Sequence, residues 1–139
     1  MLLADHADAV GGKLYISGGG WSITGPEPFT CAIAIDIKVP WDQRNLAHEA
    51  RLELLDADGA PVLLPTPEGE QPLFVDAQFQ TGDPAEGVKP GSPLDAAFAV
   101  NLGPLLLPPG RRFEWRLSID GETSDEWRLT FTTRPPRDE

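Results

Sequence analysis

Strict alternation of apolar and polar residues is the dominant pattern along the chain, and it predicts β-strands rather than helices. From Phe29 the residues Phe29, Cys31, Ile33, Ile35, Ile37 and Val39 face one way. Thr30, Ala32, Ala34, Asp36 and Lys38 face the other, so the segment reads as a long strand with one buried face. Phe113, Trp115, Leu117 and Ile119 alternate with Arg112, Glu114, Arg116, Ser118 and Asp120. After Asp120-Gly121-Glu122 the alternation resumes through Trp127, Leu129 and Phe131, which predicts a C-terminal β-hairpin.

Further strand-length runs lie between these two. They are Ala50, Leu52 and Leu54, ending at Asp56-Ala57-Asp58-Gly59; Leu73, Val75, Ala77 and Phe79; and Leu94, Ala96, Phe98, Val100 and Leu102. At the N-terminus Leu2 to Ala7 and Lys13 to Ser17 flank Gly11-Gly12 as another hairpin. Only Trp41 to Glu49, following Pro40, looks locally helical, and it is too short for more than a turn or two. About eight strands without βαβ alternation predict an antiparallel β-sandwich, immunoglobulin-like or related, with a closed barrel as the alternative.

The chain of 139 residues suits one such domain, read as 1–134 with a polar tail at 135–139. Fifteen prolines and 14 glycines fall mostly between the apolar runs and act as turn punctuation. Pro61 to Gly69 and Thr81 to Pro93 read as surface loops.

Charge narrows the partners. Eleven Lys and Arg against 22 Asp and Glu give a net charge of −11, and no basic cluster exceeds Arg111-Arg112. Such a field repels nucleic acid and anionic membrane surfaces. No apolar run approaches the length of a membrane span, and the opening Met1-Leu2-Leu3-Ala4 lacks a basic leader, so the expected location is the cytoplasm.

No catalytic set is recognisable. The only histidines are His6 and His48, no serine stands in a G-x-S-x-G elbow, and the single cysteine, Cys31, lies on an apolar strand face. Three His and Cys residues scattered along the chain make no zinc pattern, and no cofactor is implied. Gly18-Gly19-Gly20 lacks the Lys and Ser/Thr of a phosphate loop and reads as a tight bend before Trp21. Asp56, Asp58 and Asp83 are weak calcium candidates, since Asp56-Ala57-Asp58-Gly59 is also an ordinary turn. Trp115 and Trp127 fall on apolar strand phases, which leaves Trp21 and Trp41 as candidate partner-binding residues.

Ala4-Asp5-His6-Ala7 followed by Gly11-Gly12-Lys13-Leu14-Tyr15-Ile16-Ser17-Gly18 resembles the opening of an uncharacterised family of small bacterial all-β proteins. The similarity continues in Arg51-Leu52-Glu53-Leu54-Leu55-Asp56-Ala57-Asp58-Gly59 and around Pro109-Gly110 and Trp115. It implies a domain of unknown function and no catalytic residues. The leading expectation is a non-enzymatic module for protein interaction or self-assembly. A small-ligand or calcium-binding sandwich is second, and an enzyme using His6 or His48 with a neighbouring carboxylate is third.

Overall fold

The computed structural model describes residues 1–25, 28–82 and 86–135. Among the described residues twelve strands run in order: β1 (Leu2–Ala4), β2 (His6–Val10), β3 (Lys13–Ser17), β4 (Ile23–Thr24), β5 (Phe29–Val39), β6 (His48–Asp56), β7 (Leu63–Thr66), β8 (Gly69–Pro72), β9 (Phe74–Phe79), β10 (Leu94–Leu105), β11 (Arg112–Ile119) and β12 (Glu122–Thr133). One 3-10 turn, Trp41–Gln43, joins β5 towards β6.

The strands form two principal sheets, ordered β1-β5-β10 and β4-β12-β11-β6-β9, and two separate hairpins, β2-β3 and β7-β8. All pairings are antiparallel except β4 with β12, which is parallel. The expected all-β sandwich is present. It is curled like a half-barrel but not closed, because β9 and β10 end their sheets without pairing to each other.

Alternation fills the core. Cys31, Ile33 and Ile35 from β5 meet Ala50, Leu52 and Leu54 from β6, Phe113, Trp115 and Leu117 from β11, and Phe131 from β12. Trp115 is fully buried, as is Cys31, and removal from water pushes the Cys31 thiol up to about 12, partly offset by the neighbouring Trp115 side chain. Such a thiol has almost no thiolate at neutral pH. Iodoacetamide is therefore expected to leave native protein unmodified and to alkylate Cys31 only after denaturation, as read by intact mass.

The expected one-sided burial of β5 is incomplete. Ala32 and Ala34 are also buried, because β2-β3 folds over the outer face of the small sheet and packs Ala7 against Ala4, Ala32 and Ala34. Four alanines let the two layers approach closely. The anchor is Asn101 of β10, whose side-chain oxygen accepts from the Ala7 amide at 3.1 Å and whose Nδ2 donates to the Ala7 carbonyl at 2.6 Å. The amide stands in for a strand neighbour. Asn101→Leu leaves both buried groups of Ala7 unpaired and is expected to cost about 1–3 kcal/mol in denaturant unfolding.

The N-terminal segment also differs from a single strand over residues 2–7. It divides at Asp5, with β1 on β5 and β2 on β3. Asp5 donates its amide to the carbonyls of Ser17 and Gly18, and a Cβ on Gly18 would collide with the Asp5 carboxylate, so the glycine run is a close-approach bend.

Pro61 to Gly69, read from sequence as loop, instead enters β7 and turns at Pro67-Glu68 into β8. Two-residue hairpin turns occur where expected at Gly11-Gly12 and Asp120-Gly121, whose positive φ angles suit the type I′ geometry.

Candidate functional site

Two features stand out, a bare sheet edge and a cleft beside it. The principal sheets have four edge strands. β1 and β4 are three and two residues long, too short to template another chain. β10 carries Gly103 and Pro104 and is crossed by the docked hairpin at Asn101. β9, with the sequence Phe-Val-Asp-Ala-Gln-Phe, has none of these protections among the described residues.

The ladder phase of β9 follows from its pairing with β6. Leu73 accepts a hydrogen bond from the Leu54 amide, and Phe74 lies opposite Glu53. Antiparallel alternation then turns the backbone groups of Val75, Ala77 and Phe79 towards β6 and those of Phe74, Asp76 and Gln78 outward.

The side chains on this edge favour a partner. Arg51 holds the Asp76 carboxylate with two bonds of 2.7 and 2.9 Å, and its guanidinium lies 4.4 Å from the Phe74 ring centre. These bonds hold the Asp76 carboxyl below the usual carboxylate range. The only charge on the strand is thus matched within the protein, and Phe74 remains 43% exposed. Val75, Phe79, Phe98, Val100 and Leu102 pack on the core yet are only half-buried. Phe79 meets Phe98 at 5.8 Å between ring centres.

At the end of the sandwich where β5 and β9 finish and β6 begins, a cleft of about 370 Å³ separates the sheets. Ile37, Val39, Phe79, Ile119 and Trp127 form apolar walls, and Gln43, His48, Asp120 and Glu122 add polar groups. The His48 side chain is nine-tenths buried and stacks on Phe79 with ring centres 5.2 Å apart. Its Nδ1 is 2.7 Å from Asp120 Oδ2, while Nε2 is buried without a hydrogen-bond partner.

Asp120 is locked in place. Its other oxygen accepts from the Glu49 amide at 2.9 Å, and its φ of 51° belongs to the hairpin turn. The His48 bond and then the Glu49 amide hold its carboxyl below the usual range. No signal in the linear sequence pairs residues 48 and 120. A histidine in phase with Ala50, Leu52 and Leu54 is the one sign that His48 points inward.

The other candidates are placed separately. Trp21 and Trp41 sit near opposite ends of β5. Trp21 is half-buried and packs edge-on against Phe29 and Phe131, at 6.2 and 6.0 Å. Trp41 is half-buried under the Arg44 guanidinium, 4.4 Å from its ring centre.

His6 bonds Asp8 at 3.2 Å on the exposed face of β2. Asp56 uses Oδ1 to accept from the amides of Asp58 and Ala60, so its carboxylate serves the turn. Asp83 lies outside the described residues. Among the described residues no three His, Cys, Asp or Glu side chains converge as a metal site, and no helix is long and apolar enough to cross a membrane.

The fold and its edges define a small all-β sandwich left open along one side. Residues 1–132 match the model of a family of unknown function, DUF6941, and the chain belongs to that family. No curated protein and no solved structure matches it.

Proposed function

We propose that the protein is a non-catalytic interaction module that takes a basic, extended segment of a protein partner as an added strand along β9. The observation that supports this most is the unguarded edge itself, with the backbone groups of Phe74, Asp76 and Gln78 turned outward between an exposed Phe74 and half-buried Phe79. Main-chain bonds supply affinity in this mode, and side chains on alternate positions supply specificity.

The same placement would cover the half-buried residues of the open side. Charge selects the kind of partner. At −11, a second copy of the chain meets mutual repulsion, whereas a basic strand is steered in, with an association rate that falls as salt rises.

A photo-crosslinking residue at Gln78, compared with one at Asp125 on β12, tests the proposal in lysate of the source organism. One discrete adduct from position 78, absent from position 125 and reduced by added salt, is the expected result. Equal adducts from both positions, or none from position 78, would overturn it.

A further inference from the structure

The hairpin β2-β3 has a free edge of its own. Val10 pairs with Lys13 across the Gly11-Gly12 turn, and Ala7 lies opposite Ile16. Both backbone groups of Ala7 bond to Asn101, so they point away from β3. In an antiparallel ladder the opposite residue then points its own backbone groups away as well, which turns Ile16, and with it Leu14, towards the free side of β3. Among the described residues no backbone group outside the hairpin bonds to either one. Tyr15 is 56% exposed and Ile16, on the face turned to the small sheet, is still 39% exposed. An edge strand of this kind accepts another strand.

The strand fits itself. When two copies of Lys13–Ser17 run antiparallel with all five residues overlapped, Tyr15 faces Tyr15 on a twofold axis, Leu14 faces Ile16, and Lys13 faces Ser17. The outward backbone groups of Leu14 and Ile16 then bond in both directions. The two phenol rings meet on one face of the seam, and Leu14 and Ile16 pair on the other.

Charge agrees with this register. Lys13 of one copy falls next to Gly18 of the other, beside which the Asp5 carboxylate lies. Within one copy neither Lys13 nor Asp5 has an ion-pair partner among the described residues. Asp8, the remaining acid of the hairpin, is bonded to His6. Opposite charges meet twice across the seam, and no like charges face each other, which favours this alignment over a slipped one.

We infer that β3 is a self-association edge, through which two copies of the chain join into one four-stranded antiparallel sheet about a twofold axis at Tyr15. A two-stranded hairpin is weakly stable alone, and this one rests on a bed of alanines and Asn101, so two added strands steady it. The net charge of −11 opposes the dimer at long range. Salt screens that repulsion, and exposed pairs such as Lys13 with Asp5 contribute little, so association rises with salt. A basic strand at β9 has the opposite salt dependence, which separates the two interfaces.

Cysteine crosslinking tests the register, because Cys31 is buried and unreactive and leaves an introduced thiol to be read alone. Facing residues of a non-hydrogen-bonded pair have Cα atoms about 4.5 Å apart, within disulfide range, whereas the two copies of residue 13 stand about 13 Å apart along the seam. Native Tyr15→Cys and Lys13→Cys proteins are oxidised with diamide and compared on a non-reducing gel. The expected result is a covalent dimer from Tyr15→Cys, at least tenfold more abundant than from Lys13→Cys. Sedimentation velocity of the parent chain is expected to show a dimer that grows with concentration and with salt.

Tyr15→Glu, an exposed change that sets two like charges on the axis, is expected to weaken the dimer at least tenfold without altering the circular dichroism spectrum. Equal crosslinking at positions 13 and 15, a parent chain that stays monomeric at every concentration and salt, or a dimer that Tyr15→Glu leaves intact would overturn the proposal.

Discussion

Trp115→Ala is expected to lower the melting temperature by roughly 10–20 °C, the largest stability effect of any single change considered. Trp115 has no exposed surface and sits mid-strand in β11, opposite Leu54 of β6 and Leu129 of β12. Deleting a buried indole loses its transfer free energy and leaves a cavity that rigid sheets on either side cannot close, about 3–5 kcal/mol in total. Against a typical stability of about 5–15 kcal/mol, that removes a large share. Differential scanning calorimetry checks it, and a shift of only about 2 °C would mean that the two sheets are not packed through this residue.

Gln78→Pro is expected to weaken partner binding by about tenfold or more while leaving the fold intact. The Gln78 amide is turned away from β6, so proline removes no ladder bond, and Ala77 before it already has the extended backbone that proline requires. The lost donor and the ring bulk instead fall on the outward edge, where a partner strand would bond. Affinity of the crosslinked partner for the variant and the parent protein, with matched melting curves, checks this. Unchanged affinity would remove β9 from the interface. A collapsed melting curve would show that the amide of Gln78 is a ladder donor, contrary to the phase assigned to it.

The contrast between these two positions shows what the sequence could and could not reveal. Trp115 was legible because burial follows the period of a strand, and the same rule placed β5 from Phe29 to Val39 and the β11-β12 hairpin. The Asp120-Gly121 turn was equally readable, since adjacent positive φ angles select those residues.

Alternation alone puts Ala32 and Ala34 on an outward face, because small residues on a polar phase carry no burial signal. Their cover arrives from β2-β3, and that depends on a long-range docking through Asn101. β7 and β8 were hidden by Pro65 and Pro72, which usually mark loops and here lie in a peripheral hairpin.

Both parts of the candidate site are products of topology. Whether β9 is a central or an edge strand is decided by its neighbours and not by its own six residues. His48 and Asp120 come together because β6 and β11 pair with Ala50 opposite Ile119, which sets the β11-β12 turn beside the start of β6. Trp21 and Trp41 stand out in the sequence only as tryptophans outside the strand pattern. The edge residues that matter more to the proposed interface, Phe74 and Gln78, have no distinctive sequence context.

Amide hydrogen exchange along β9 tests strand addition most directly, measured on the free protein and on its complex with the crosslinked partner. The outward amides of Asp76 and Gln78 are expected to exchange quickly in the free protein and to become protected in the complex, while Val75 and Ala77, bonded to β6, are slow in both. Unchanged exchange at Asp76 and Gln78 in a stable complex, with new protection on another face, would contradict it.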